Sequence, residues 1–171
     1  MAAMERHSTG LIDRPEPGRL SPCVCSTLRM VSRAVTQLYD DILRPSGIRV
    51  TQFSILATIA RAGQANLRQL ETALAIDQTT LTRSLSLLDR DRMIERVAHP
   101  DGRIKAMRLT RKGRRVLDVA RPLWARAQEK VLRELGTTAW DDAQRRLARL
   151  LHVAVDKRRQ GREPMRKPGR A

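Results

Sequence analysis

Apolar residues recur at every third or fourth position over most of the chain after residue 20, a spacing that predicts amphipathic helices. The first helix is predicted to start at Ser21 or Pro22 and to stop at Pro45-Ser46-Gly47. The second is predicted to start at Thr51, as its capping residue, and to stop at Gly63.

A helix-turn-helix pair is predicted next. Asn66 is placed to cap its first helix, with Gln69 three residues later, and Asp77 is a good cap for its second. The second helix has a buried stripe of leucines and an opposite face rich in hydroxyls, an amide and a guanidinium, which base edges and phosphates require. The leucines are Leu81, Leu85 and Leu88, and the polar residues are Gln78, Thr79, Thr82, Arg83 and Ser86. Threonine is a mediocre helix former, so three threonines in four positions favour DNA contact over a merely solvated face.

A β-hairpin follows the helix pair. Residues 94–99 and 103–109 form two short runs that flank Pro100-Asp101-Gly102, a turn sequence. This pattern predicts a wing with Arg103 near its tip, where the negative potential of a narrow A·T-rich minor groove would attract it. The alternative for Arg103 is an ordinary surface arginine. Lys105 and Arg108 are predicted to touch phosphates.

The C-terminal part of the chain predicts two more helices. Residues 110–135 form a long apolar repeat with Pro122 inside it, so the helix either kinks or starts a second segment there. Gly136 ends this repeat, and Thr137 or Thr138 opens the last helix. Together with the first helix, these two carry more apolar surface than one small winged domain covers, so a second copy of the chain is the predicted partner.

The composition narrows the class of partner. The formal net charge is +16 and the pI is about 11.5, and such a field attracts polyanions. Aromatic residues are scarce, which favours duplex DNA over single strands stacked on aromatic platforms. No run approaches the ~20 apolar residues of a membrane span, and the N-terminus lacks the apolar core of a signal peptide, so no membrane partner and a cytoplasmic location are expected.

The sequence carries no familiar catalytic signature. It has no glycine-rich phosphate loop, no His-Glu-x-x-His helix and no paired carboxylates on an apolar background. His7, His99 and His152 are scattered over a tail, the wing and the last helix. Neither an enzyme nor a cofactor is expected.

The expected fold is mainly α with a small β-hairpin wing, as a winged helix-turn-helix domain plus a helical dimerisation region. The predicted divisions are a disordered N-terminal arm (1–20), a dimerisation helix (21–50), the winged helix-turn-helix DNA-binding region (51–109), C-terminal dimerisation helices (110–157) and a basic disordered tail (158–171).

Three linked motifs carry a resemblance to a known family. They are Leu88-x-Arg90-x-x-Met93-Ile94-Glu95-Arg96, Asp101-x-Arg103 and Leu109-Thr110-x-x-Gly113. From about residue 25 to about residue 150 the chain resembles the MarR family of winged helix-turn-helix transcription regulators. The resemblance implies a homodimeric repressor that binds a pseudo-palindromic operator in double-stranded DNA and is released by a small effector.

The resemblance also implies roles for individual residues. It places Gln78, Thr79, Thr80, Thr82 and Arg83 in or beside the major groove. It places Arg103 in the minor groove and gives Asp101 the role of bracing the hairpin. It further implies a cleft for a small aromatic or anionic effector, lined by the first, second and fifth helices. The candidates there are Arg33, Tyr39, Phe53 and Trp124, each of which is equally open to being ordinary core.

The cysteines leave a second hypothesis open. Cys23 and Cys25 are the only two, too few for a structural zinc site within one chain. By the resemblance, Cys25 matches the sensing cysteine of a peroxide-sensing branch of the family, although Arg29 stands where that branch has a tyrosine. A Cys-x-Cys pair could also bind a thiophilic metal across a dimer. The alternatives to an effector-released repressor are therefore a thiol-based redox or metal sensor, and a nonspecific architectural DNA binder.

Overall fold

Residues 23–97 and 106–160 are described by the computed structural model of the protein. Their elements are α1 (Val24–Leu43), a 3-10 turn (Arg44–Ser46), α2 (Val50–Ala62), β1 (Ala65–Asn66), α3 (Leu67–Leu74), α4 (Gln78–Arg90), β2 (Ile94–Val97), β3 (Ala106–Leu109), α5 (Arg111–Leu135) and α6 (Thr137–Gln160). The predicted fold class, mainly α with a small β element, is confirmed.

The two N-terminal helices begin at other residues than the sequence predicted. Helix α1 begins at Val24, because Cys23 has an extended backbone and its carbonyl accepts the first helical bond, from Thr27 N at 3.0 Å. Helix α2 begins at Val50, so the prediction that Thr51 caps it is wrong. Asp40 on α1 caps the start of α2 instead, because its Oδ1 accepts the Val50 N–H at 2.7 Å.

The helix-turn-helix caps are confirmed. Asn66 Oδ1 accepts the Gln69 N–H at 2.9 Å, and the Gln69 side chain accepts the Asn66 N–H at 2.8 Å. This reciprocal capping box satisfies two backbone donors that the start of α3 would otherwise leave open. Asp77 caps α4, as predicted.

The sheet has one strand more than the sequence predicted. Strand β3 lies in the middle, with β2 antiparallel on one side and the two-residue β1 antiparallel on the other. The pairing Ala65↔Met107 joins the start of α3 to the hairpin. A strand of two residues has too few alternating positions to produce a sequence pattern, so periodicity does not reveal it.

The long helix α5 runs without interruption through Pro122, so of the two predicted alternatives a second segment does not begin there. It ends at Gly136, whose positive φ of 83° suits glycine, and α6 begins at the predicted Thr137. Helix α6 extends to Gln160, past the predicted boundary at 157.

One apolar core lies between the helices and the sheet. Its largest fully buried side chains are Leu43, Ile55, Leu56, Ile59, Leu70, Leu81, Leu88 and Leu117. The first half of α5 supplies Leu117 and Ala120 to this core, whereas the outer faces of α1 and α6 keep large apolar side chains in solvent. In the part of the chain that is described, no helix is both long and apolar enough to cross a membrane.

Candidate nucleic-acid interface

Helix α4 separates a buried apolar side from an exposed polar side, as predicted. Leu81 and Leu88 are fully buried and Leu85 nearly so. The polar residues predicted for the other side are all exposed: Gln78, Thr79, Thr82, Arg83 and Ser86. Because the leucines anchor the helix in the core, the polar side is held at a fixed orientation on the surface.

The first turn of α4 is held by one carboxylate. Asp77 Oδ1 accepts the Thr80 N–H at 3.0 Å, and Asp77 Oδ2 accepts the Thr80 hydroxyl at 2.7 Å. These bonds from Thr80 hold the pKa of Asp77 below its ordinary value of 3.8. Thr80 therefore uses its hydroxyl proton within the protein, although the sequence placed it among the DNA-contacting candidates.

Two other hydroxyls on α4 also donate hydrogen bonds within the helix. Ser84 donates to the Thr80 carbonyl at 3.1 Å, and Ser86 donates to the Thr82 carbonyl at 2.9 Å. By contrast, the side chains of Gln78, Thr79, Thr82 and Arg83 make no hydrogen bond within the described residues. These four are the groups whose donors and acceptors are open to an external partner.

The described part of the hairpin carries two cations, the exposed Arg96 on β2 and Arg108 on β3. Arg108 lies opposite Glu95 in the register of β3 and β2, and its Nε donates to Glu95 Oε1 at 2.8 Å. Both side chains are about half exposed, so this ion pair orients Arg108 without burying it. The wing-tip candidates Asp101 and Arg103, and Lys105 on the returning run, lie outside the described residues.

The turn after α4 is tied to the start of α5, a connection that sequence reasoning did not identify. The Thr110 N–H donates to the Met93 carbonyl at 3.1 Å, and the Thr110 hydroxyl donates to the Arg92 carbonyl at 2.7 Å. Lys112 Nζ donates to the Asp91 carbonyl at 2.8 Å. The Leu109-Thr110-x-x-Gly113 motif pointed to this place, but its spacing alone did not reveal the partners.

Two of the four effector candidates are buried in the single chain. Tyr39 and Phe53 are 8% and 7% exposed, and the Tyr39 hydroxyl donates to Gln128 Oε1 at 2.6 Å. Burial raises the pKa of Tyr39 above its ordinary value. Phe53 stacks on Trp124 with ring centroids 5.6 Å apart, and Trp124 remains 38% exposed. Arg33 lies exposed on α1.

Several cavities lie away from these four candidates. One of about 180 Å³ lies between α4 and the sheet, next to Thr82, Ser86 and Arg96. Two open grooves of about 370 and 350 Å³ follow the second half of α5, on either side of Lys130 and Glu134. None of these three is lined by any of the four effector candidates.

Both cysteines are exposed at the start of α1. Among the described residues, no group of three or more His, Cys, Asp and Glu side chains is arranged to hold a metal ion. A metal at the cysteines would need ligands from a second copy or from residues outside the described part.

Comparisons with known proteins agree on one family. A model described as the MarR family matches residues 46–103, which span α2 to the wing. The transcriptional regulator MosR of M. tuberculosis, solved in complex with DNA, is 38% identical with a TM-score of 0.72, covering 80% of this chain and 98% of that one.

Two further relatives extend the agreement. A mutant of MarR from E. coli complexed with operator DNA is 25% identical, with a TM-score of 0.67, and the match covers 72% of this chain and 90% of that one. The HTH-type transcriptional regulator BilQ of Clostridioides difficile is 26% identical over 118 residues, which is 68% of this chain and 77% of the relative.

Proposed function

Because the chain belongs to the MarR family of transcriptional regulators, we propose that it is a homodimeric repressor that binds a pseudo-palindromic operator in duplex DNA and is released by a small effector. It acts in the cytoplasm, where its operator is, and by binding rather than by catalysis.

The polar face of α4 is the observation that carries this proposal. Gln78, Thr79, Thr82 and Arg83 present an amide, two hydroxyls and a guanidinium on an anchored helix, with no partner among the described residues. Such groups match the acceptors and donors of base edges in the major groove and the phosphates beside it. MosR and a mutant of MarR, which share this fold, were solved in complex with DNA, and this supports DNA binding as the function of this chain.

Homodimerisation is supported by the apolar side chains that the single chain leaves exposed. On α1 and α6 these are Val24, Leu28, Met30, Val31, Val35, Leu147, Leu150, Leu151 and Val153. So large an apolar surface is costly in water, and a second copy with the same two helices would cover it. A two-fold dimer in turn calls for a pseudo-palindromic operator.

Release by an effector would be geometric. In the proposed dimer the two α4 helices, which we call the recognition helices, must reach successive major grooves, roughly 34 to 36 Å apart. A ligand that changes this span removes binding without touching a DNA contact. Since Tyr39 and Phe53 are core side chains, the effector is proposed to bind nearer to the exposed Trp124 and Arg33, in a cleft that a second copy completes.

A thiol-based sensor is the second candidate, favoured by the exposure of Cys23 and Cys25 at the start of α1. In that case oxidation of the thiols, or binding of a thiophilic metal across the dimer, would release the DNA in place of an effector. Peroxide treatment followed by mass spectrometry and DNA-binding measurements on the Cys25→Ser chain separates the two. The thiol hypothesis requires peroxide to weaken binding by the parent but not by Cys25→Ser.

The test of the main proposal is selection of bound duplexes from a random-sequence library, followed by affinity measurements on the selected sequence and on a scrambled one. The proposal expects a palindromic selected sequence and at least a thousandfold preference for it. Arg103→Ala should weaken that binding with little change in melting temperature. Equal affinity for selected and scrambled duplexes would instead support a nonspecific architectural DNA binder.

A further inference from the structure

The start of α5 carries a dense group of cations that belong neither to the recognition helix nor to the wing. Arg111, Lys112, Arg114 and Arg115 are four of its first five residues, and all four side chains are exposed. With the exposed Arg92 of the preceding turn they form a surface that we call the α5 basic patch.

Local ion pairing does not explain the patch. Arg92, Arg111, Arg114 and Arg115 pair with no carboxylate of the described residues, and Lys112 donates to a backbone carbonyl. The first acidic residue of α5 is Asp118, and it is not within ion-pair distance of Arg114 one turn earlier. The positive charge of the patch is therefore open to solvent.

Helix stability does not explain the patch either. The N-terminal end of a helix carries a partial positive charge, so cations in the first turn are unfavourable there and carboxylates are favourable. Helix α5 has no acidic residue in its first turn. The backbone N–H of Gly113 is already satisfied by the Thr110 hydroxyl at 3.0 Å, so what the patch offers is side-chain charge rather than a capping site.

The patch is fixed relative to the recognition helix. Thr110 and Lys112 bond to the carbonyls of Arg92, Met93 and Asp91, the three residues that directly follow α4. From Thr79 to Arg90, α4 advances by roughly 16 Å at about 1.5 Å per residue. The major groove is about 12 Å wide. A helix that reads bases near Thr79 therefore brings the patch beyond the edge of the groove, where the neighbouring phosphates lie.

Given the proposed binding of duplex DNA, we infer that the α5 basic patch is a second DNA-binding surface, which grips phosphates outside the base pairs that the recognition helix and wing read. Its contacts are independent of sequence, because guanidinium and ammonium groups on a phosphate backbone carry no base information. Its role is to lengthen the bound segment of duplex and to steepen the dependence of affinity on salt.

The test compares two duplexes. The short one ends at the outermost base pair that selection from a random library shows to matter, and the long one adds about one helical turn, roughly 10 base pairs, at each end. The test variant is Arg114→Gln with Arg115→Gln, since glutamine keeps helix propensity and removes the charge. The matched control is Arg126→Gln with Lys130→Gln, two exposed cations further along the same helix.

The parent should bind the long duplex more tightly and with a steeper salt dependence than the short one. The test variant should show a smaller difference, because the log-log slope falls by about 0.9 for each phosphate that the protein no longer neutralises. It should also melt no lower than the parent, since it removes cations from the positive end of α5. The control variant should keep the difference between the two duplexes.

Other results would overturn the inference. If the slope of log affinity against log salt on the long duplex is the same for the test variant and the parent, the patch touches no DNA. If the slope of the test variant falls equally on both duplexes, the patch contacts lie inside the sequence that the protein reads. If the slope of the control variant falls as much as that of the test variant, the effect comes from overall charge. If selection yields no preferred sequence, the proposed function fails instead. The salt dependence of parent and test variant on a long duplex of random sequence then shows separately whether the patch binds DNA.

Discussion

Gly113, in the first turn of α5, packs so tightly against Met93 that a Cβ atom at position 113 would lie 2.0 Å from the Met93 carbonyl oxygen. That oxygen also accepts the Thr110 N–H. A side chain at 113 would push α5 away from the turn that follows the recognition helix. The glycine of the Leu109-Thr110-x-x-Gly113 motif is therefore a requirement of close backbone approach, and its φ lies outside the left-handed region.

Gly113→Ala should accordingly destabilise the protein by about 2 to 3 kcal/mol, because the clash is with backbone and cannot be relieved by a rotamer change. Urea denaturation of the parent and the variant measures it. Gly47→Ala is the matched control: position 47 has open space around it and a φ of 74°, so its cost is only the left-handed strain of roughly 1 to 2 kcal/mol. A Gly113→Ala chain as stable as the parent would mean that α5 has room to shift there.

The sequence predicted those parts of this fold whose signals are local. The leucine stripe of α4 and the caps Asn66 and Asp77 follow from residue type and spacing within one turn of helix, and they are confirmed. The prediction of Thr51 as the cap of α2 is wrong because the group that accepts the Val50 N–H is Asp40, ten residues away on α1. Spacing within α2 contains no information about a carboxylate on another helix.

The same distinction separates the parts of the candidate site. The polar face of α4 could be predicted from the sequence. The hydrogen bond that the Thr80 hydroxyl donates to Asp77 could not, because it depends on side-chain geometry. The burial of Tyr39 and Phe53 depends on tertiary packing, so the sequence could not separate an effector cleft from core. The ties between the turn after α4 and Thr110 join residues 17 and 18 positions apart, beyond any helical period.

The Asp77 cap should make the recognition helix sensitive to acid. The folded pKa of Asp77 lies below 3.8, so the unfolded chain takes up the proton first. The stabilisation is therefore fully present above the unfolded pKa and is lost as pH falls through the folded one. Asp77→Asn keeps a cap without this titration, so the stability difference between parent and Asp77→Asn should shrink below about pH 4. Chemical denaturation at pH 3 and pH 6 checks it, and a difference that grows in acid would contradict the assignment.

Thr79 and Thr80 are neighbours with different predicted effects on DNA binding. The Thr80 hydroxyl bonds to Asp77, whereas the Thr79 side chain has no partner among the described residues. Thr80→Val should weaken the start of α4 and lower affinity for all duplexes alike. Thr79→Val should leave stability nearly unchanged and alter which bases are preferred, by about 1 to 3 kcal/mol where a base contact is removed. Binding to a panel of single-base operator variants separates them, and identical preference profiles for both variants would refute the distinction.

The exposed leucines of α6 predict the assembly. Light scattering on the parent should give about twice 19.4 kDa, because Leu147 and Leu151 would otherwise stay in water at 42% and 53% exposure. Leu147→Lys with Leu151→Lys should yield folded monomers, since burying two ammonium groups in an apolar interface is costly and the α2 to β3 core does not depend on α6. Val119→Lys, an equally exposed apolar site on the first half of α5, is the control and should remain dimeric.

The monomeric variant should lose the preference for a palindrome while keeping weak affinity for a half-site, because each winged domain would still present its own α4. A parent that is monomeric at micromolar concentration, or a double variant that dimerises as tightly as the parent, would place the subunit interface elsewhere.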